Sequence, residues 1–448
     1  TLALLVAILF GLGAYLHGPD IPVVDPEPIP RTFAFGLVLL GIGLFAQQKP
    51  LLAALAGGLA LVYDMRVALP FWAVVVLAFL FDRQSRHLMR ASLPILAVFA
   101  LLLANFAQLQ PGLPQAKALF DRVPATIADI QQYRLSNVWV SSWARAEMWH
   151  YLAIWICGLW ATVRIRNQLN CQTRWFLVMM PVIGISSVLA SYLLLDRMRW
   201  FIIPAIQPAQ TVIFVVAFAS VTCGIAGIRA ARMRQHCEAV AWLSVVLAFP
   251  VSTRVLDFLK PGKLVYAAVI LTVSAVFTVA VARWREKNIE ALSLAVPIVV
   301  MLWAGALSGA HRQNIRASPV AEISDWAGQN TWGGSMFLFP DAGRAGYPGM
   351  FRAMAKRAVW VDWTTGEQAA YFDSFADEWW RRWHDTMEGG FSTERLRSML
   401  SLPIDYYVLK RADALADVRP VFTTRELLVY DARDLRTARL PLRFTRAS

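Results

Sequence analysis

Cysteine and histidine are scarce in this chain, four and six in 448 residues. Cys157 and Cys223 fall within apolar runs, Cys171 and Cys237 in short basic loops, and the C-terminal region has none. That spread excludes a disulfide framework or a cysteine zinc site there. His311 and His384 stand alone, without ligand partners at useful spacing, so the sequence identifies no metal site. Charge is sparse as well. Asp, Glu, Lys and Arg make up 16% of the chain and hydrophobic residues 57%, against roughly 25% and 45–50% in soluble domains. The formal charge of +13 does not mark a nucleic-acid binder, because many of the Lys and Arg sit in short loops between apolar runs rather than on one soluble face. No nucleic-acid partner is expected.

What the chain has in abundance is uncharged apolar sequence. "FWAVVVLAFLF" (71–81), "SLPILAVFALLLANFA" (92–107) and "LVYAAVILTVSAVFTVAVA" (264–282) hold no charge, and about 20 such residues cross a bilayer core near 30 Å. Apolar segments lie near 1–16, 32–47, 51–63, 69–81, 91–108, 148–163, 175–195, 209–228, 239–253, 264–282 and 291–308. The third and fourth are too short to span upright and read as half-helices meeting at "YDMR" (63–66), backbone that lipid tolerates only under protein cover. The expected fold is a polytopic α-helical membrane protein of about eleven hydrophobic segments, two of them short, with a C-terminal α/β soluble domain. Residues 1–310 form the multi-pass domain, with 109–147 as an outer loop carrying short helices, and 318–448 form the α/β domain. Thr1 lies inside an apolar run with neither a basic n-region nor a cleavage site, which reads as a chain missing its natural beginning rather than a signal peptide.

The loops alternate in charge. One set holds Lys49; Arg83, Arg86 and Arg90; Arg164, Arg166 and Arg174; Arg229, Arg232 and Arg234; Arg283, Arg285 and Lys287. The other set, at 18–31, 64–68, 109–147, 196–208 and 254–263, is longer and carries its cations more thinly. Lys and Arg are retained on the cytoplasmic side, so the first set is read as cytoplasmic and the C-terminal domain as periplasmic in a bacterial inner membrane. The orientation turns on segment 239–253, which is short and ends near Pro250, Arg254 and Asp257. Arg312 and Arg316, close behind the final segment, pull the other way.

The long loop suggests short amphipathic helices broken at Pro111, Pro114 and Pro124. Trp139, Trp143, Trp149 and Tyr151 follow, as an interfacial aromatic belt or as the roof of a cavity. In the tail, "SPVAEISDWAGQN" is expected as a helix capped by Ser318 with Glu322 near its start. "SMFLFP" and "RAVWVDW" read as strands. "GEQAAYFDSFADEWWRRWHDTM" reads as a second helix and "STERLRSML" as a third, capped by Ser392 or Thr393. "DYYVLKR", "PVFTT" and "LLVYDA" read as strands, the last two a hairpin around "RE".

The phrases "ISDWAGQNTWGGSMFLFP", "FRAMAKRAVWVDW" and "IDYYVLKR" leading to "PVFTTRELLVYDA", behind many apolar segments, resemble the ends of GT-C class glycosyltransferases and their uncharacterised relatives. The resemblance implies a lipid-phosphate-linked sugar donor and work at the outer face of the membrane. It also implies a catalytic carboxylate in the first outer loop, a loop expected to precede Thr1.

Such chemistry needs a carboxylate to activate the acceptor, Arg, Lys or a metal to hold the leaving phosphate, and a groove that admits the lipid. No metal ligand set is legible, which leaves a divalent metal open. The outer ends offer Asp20, Asp25, Glu27 and Arg31; Asp64 and Arg66; Arg145 and Glu147; and Asp196, Arg197 and Arg199. Asp64 and Glu147 are the catalytic candidates. Arg66, Arg197 and Arg199, with Asp196, are the phosphate candidates, the "DRMR" group because its charges sit together at one helix end. Each can instead be a solvated or snorkelling end charge. In the tail, Arg352, Asp362 and Trp363 fit a carbohydrate site, or else Trp363 covers the sheet and Arg352, Lys356 and Arg357 form a wet face. Trp379 and Trp383 share one helix face, which points to packing, and Glu378 with Arg382 is an i,i+4 pair. Besides transfer from a polyprenyl-phosphate-linked sugar, two alternatives stand. One is a non-catalytic membrane protein whose tail binds an envelope partner. The other is a transporter or flippase for a lipid-linked substrate, disfavoured by the lack of mid-helix ionisable groups and of repeated halves.

Overall fold

Twelve α-helices, α1 (Leu2–Gly11), α2 (Pro30–Ala46), α3 (Pro50–Tyr63), α4 (Met65–Phe81), α5 (Arg86–Leu109), α6 (Ala125–Arg134), α7 (Arg145–Ile165), α8 (Cys171–Ser191), α9 (Ile203–Ile206), α10 (Ile213–Arg232), α11 (His236–Ala248) and α12 (Leu264–Arg283), are described up to residue 283. The computed structural model describes residues 2–25, 28–83, 86–109, 121–283, 319–370 and 372–438. Glu27, Pro111, Pro114, His311, the cap at Ser318, the segment 291–308 and the basic residues Arg285, Lys287, Arg312 and Arg316 lie outside them. The chain divides into two units, Thr1–Val123 with Ser136–Val300 and Pro124–Leu135 with Met301–Ser448. Helix α6, read from sequence as part of the long outer loop, therefore belongs with the C-terminal unit.

In the first unit three helical stretches are long and apolar enough to cross a membrane, Cys171–Arg197, Ile203–Arg232 and Pro261–Arg283. Five shorter apolar helices accompany them, so the structure does not carry the expected count of about eleven spans among the described residues. Stretch Ile203–Arg232 is buried almost all round, as the centre of a bundle must be. Helix α12 instead exposes Leu264, Val265, Val269, Leu271, Val273 and Val276, a surface suited to an apolar surrounding rather than water. An aromatic cluster of Phe45, Phe71 and Phe176, ring centroids 5.4–5.9 Å apart, fills the core between α2, α4 and α8. Gly57 of α3 admits Phe71 so closely that a Cβ there would lie 2.3 Å from its ring, the close approach that small residues allow in bundles.

The fourth apolar segment is longer than its hydropathy suggested. Helix α4 starts at Met65 and runs 17 residues through Pro70, because Asp64 caps it by accepting from the Arg66 N–H at 2.9 Å. A two-residue ribbon, β1 (Tyr15–Leu16) with β2 (Ile21–Pro22), was not expected from sequence. Its turn needs Gly18, which has φ +92° and sits where a Cβ would meet the Trp143 ring at 2.8 Å.

Described members of the two loop sets lie at opposite ends of this unit. At one end Asn170 donates to the Ala46 carbonyl (2.8 Å), the Cys171 thiol approaches Asp82 (3.6 Å) and Arg164 pairs with Glu238 (2.7 Å). At the other, Thr253 donates to the Tyr15 carbonyl (2.7 Å), Asn137 to the Pro19 carbonyl (3.3 Å) and Ser141 N–H to Asp196 (3.0 Å). Helix α11, at 13 residues, nevertheless carries the chain from the Glu238 end to the Thr253 end.

The second unit holds α13 (Pro319–Asn330), α14 (Tyr347–Ala355), α15 (Asp373–Thr386), α16 (Thr393–Met399) and α17 (Ala432–Thr437). Its strands are β3 (Met336–Leu338), β4 (Ala358–Val359), β5 (Tyr406–Lys410), β6 (Phe422–Thr423) and β7 (Leu427–Asp431), in the order β4-β3-β5-β7-β6. Strand β3 is parallel to β4 and β5, while β7 is antiparallel to β5 and β6. The β6–β7 hairpin turns at Arg425–Glu426 as expected, with the Thr424 hydroxyl accepting from Leu427 N–H at 3.0 Å. Ser392 caps α16. The second expected helix begins late, at Asp373. Residues Thr364–Ala370 form a 3₁₀ turn, because Asp362 accepts from Thr364 hydroxyl and Thr365 N–H and starts the turn from its own side chain. Trp379 and Trp383 are buried and stacked at 5.4 Å, as their spacing predicts.

Candidate functional site

Two of the sequence candidates are buried carboxylates at the Thr253 end of the first unit. Asp64 (side chain 4% exposed) takes a bidentate grip from Arg66, Nε to Oδ1 at 3.0 Å and Nη2 to Oδ2 at 2.9 Å. Arg66 also donates to Gln207 Oε1 at 3.1 Å, and Gln210 donates to the same oxygen. Gln207 reaches this position from a left-handed backbone, φ 49°. Arg31, paired with Asp25 at 2.8 Å, lines with Arg66 a cavity of about 10 Å³, room for about one water.

Glu147 lies in the first turn of α7, its side chain 3% exposed, and accepts from Arg254 Nε at 2.6 Å. His150, one turn on, accepts from Leu256 N–H through Nδ1 at 3.1 Å and faces Asp257 at 3.7 Å, which also pairs with Lys260 at 2.6 Å. Both carboxylates thus serve as buried anchors for guanidinium groups that remain partly exposed, Arg66 at 33% and Arg254 at 42%.

The "DRMR" charges do not gather. A π-helical turn over Tyr192–Arg197 shifts the register, and Arg199 takes φ 56°, so the three side chains diverge. Asp196 turns to Ser141 N–H with its other oxygen buried and unbonded. Arg197 folds onto Tyr192, donating to its hydroxyl at 3.0 Å. Arg199 is exposed and meets Val123 N–H only through its carbonyl, at 2.7 Å. Asp20 accepts from the Tyr15 hydroxyl.

In the second unit the tail candidates do meet, with a partner the sequence did not indicate. Asp362, 1% exposed, holds Arg352 at 2.7 Å and caps the 3₁₀ turn. Trp363 is not an open platform for a sugar ring. The Arg134 guanidinium lies 4.4 Å from its centroid and that of Arg344 4.6 Å, with Tyr133 edge-on at 5.7 Å and Trp383 at 5.0 Å. Arg134 comes from α6. It donates to the Trp363 carbonyl at 2.6 Å and to Glu367 at 3.2 Å, while Gln131 donates to the Ala369 carbonyl at 2.9 Å. Burial pushes the Arg134 guanidinium down from its ordinary value and Glu367 pushes it back. Nothing local in sequence marks Arg134, Gln207, Arg254 or Arg344 as members of these clusters.

Asp341 follows β3 at the same carboxyl end of this sheet. It accepts from Lys410 N–H and from the Tyr347 hydroxyl at 3.5 Å, and burial pushes its carboxyl from 3.8 up to about 6. A raised carboxylate value means that the unfolded chain releases the proton first. Stability from this group is therefore expected to fall as pH rises from about 4 to about 6, by at most about 3 kcal/mol. Denaturation of wild type and Asp341→Asn across that window checks it. The variant should lose that part of the slope, and identical slopes would refute it.

Among the described residues, no group of three or more His, Cys, Asp or Glu is placed to hold a metal ion. Compared with protein-family models, curated proteins and solved structures, the chain matches none.

Proposed function

We propose that this chain is a polytopic membrane protein of the GT-C glycosyltransferase type. It takes a sugar from a polyprenyl-phosphate-linked donor at the outer face of a bacterial inner membrane, with the C-terminal α/β unit periplasmic. One observation carries the reading. Asp64 and Glu147, nearly fully buried, each fix a guanidinium that remains partly exposed, 33% for Arg66 and 42% for Arg254, at the same end of the helical unit. A carboxylate that orients an accessible guanidinium preorganises it for a phosphate, without reorganisation when charge moves onto the leaving oxygen. The denser cationic loops gather at the opposite end, as a cytoplasmic face would require. Counting the shorter apolar helices and segment 291–308 as crossings belongs to the same proposal.

The test is transfer of radiolabelled sugar from a polyprenyl-phosphate donor by membranes containing the full chain. Arg66→Ala is expected to slow transfer about 10²–10³-fold, the range for losing one preorganised donor. Arg66→Lys keeps a charge over Asp64 but not the bidentate grip, so it should fold and still transfer slowly. Wild-type rates in both variants would refute the phosphate role. A second reading follows from the engagement of both carboxylates by arginine, which leaves neither free as a base: the protein binds the lipid phosphate without transfer. Retained donor with no product is the result that reading expects.

A further inference from the structure

The sheet of the second unit reverses direction at β3 and β5. The chain leaves β3 through α14 to β4 on one side, then returns to β5 on the other. Open α/β sheets bind ligands in the crevice outside the carboxyl ends of strands at such a reversal. A cavity of about 470 Å³ lies there, within the roughly 300–1,000 Å³ range of small-molecule sites. Lys410 and Arg411 come from the end of β5, Arg425 and Glu426 from the β6–β7 turn, and Tyr347 and Met350 from the first turns of α14.

These groups are unequally engaged. Lys410 Nζ donates to the Asp341 carbonyl at 2.8 Å, and Arg411 Nη1 reaches the Thr424 carbonyl at 3.3 Å. Arg425 is exposed, and among the described residues no hydrogen bond or ion pair engages its side chain. Three cations thus share the lining with one carboxylate, Glu426, and with Val320, Tyr347, Met350 and Leu427, while the Asp341 carboxylate is engaged by Lys410 N–H and the Tyr347 hydroxyl. A free guanidinium beside a second cation suits an oxyanion, and an exposed carboxylate such as Glu426 suits a hydroxyl.

We propose that this crevice binds a small hydroxylated organic oxyanion, such as a sugar phosphate or a sugar acid, with the anion on Arg425 and Arg411 and a hydroxyl on Glu426. The site shares no residue with the arginines of the proposed transfer, so it stands or falls separately. Titration calorimetry on the full chain in detergent tests it with a sugar 1-phosphate, the matching uronic acid, the neutral sugar and inorganic phosphate. Saturable binding of either sugar anion at millimolar concentration is expected, with the tighter of the two identifying the source of the charge. Arg425→Ala, which removes an exposed side chain with no partner among the described residues, should weaken it at least about tenfold. No saturable binding of either sugar anion would overturn the proposal. So would affinity unchanged in Arg425→Ala, or neutral sugar or inorganic phosphate binding as tightly as the sugar anion.

Discussion

Arg254→Ala is expected to destabilise the first unit by about 3 kcal/mol, whereas Glu147→Gln costs no more than about 1 kcal/mol. The asymmetry follows from burial. Glu147 is 3% exposed and Arg254 42%. Deleting the arginine strands a carboxylate that neither water nor another group reaches well, while neutralising the carboxylate releases a guanidinium that water can solvate. Thermal unfolding of the two variants in one detergent measures the difference. Equal losses would mean that the pair behaves as a surface ion pair, worth little whichever partner is removed.

Arg134→Ala is expected to have a similar effect on the second unit, about 3 kcal/mol, from a lost charge-assisted hydrogen bond and a lost cation–π contact. The bond to the Trp363 carbonyl is 2.6 Å and the guanidinium sits 4.4 Å from the Trp363 ring. The ion pair with Glu367 adds little, since that carboxylate is 68% exposed. The local readout is amide hydrogen exchange over 125–134, which should quicken in the variant while exchange in α16 changes less. Unchanged protection of α6 would show that Gln131 and the apolar face of the helix hold it unaided.

What could be read from the chain was what is written locally. The β6–β7 hairpin follows from "RE" between two apolar runs, and the Trp379–Trp383 face from its four-residue spacing. Two loop sets of unequal cation density follow from where arginines fall, and the described members of each lie at their own end of the first unit. Side-chain capping hid what was missed. Asp64 starts α4 four residues before its apolar run, and Asp362 diverts the start of α15 into a 3₁₀ turn. The "DRMR" group looked compact in one dimension, but the π turn scattered it. Long-range pairs were beyond reach by this route. Arg134 and Trp363 are 229 residues apart, and no periodicity links them.

That α6 is a structural part of the C-terminal unit has a consequence for how the chain threads a bilayer. Residues Pro124–Leu135 and the sheet built after Pro319 are one folded body, so they occupy one compartment. A membrane chain that leaves that compartment after Leu135 and is back in it by Pro319 must traverse the lipid an even number of times in between. The number of crossings between the two points, whatever its size, is expected to be even, because the docking of α6 allows no odd one.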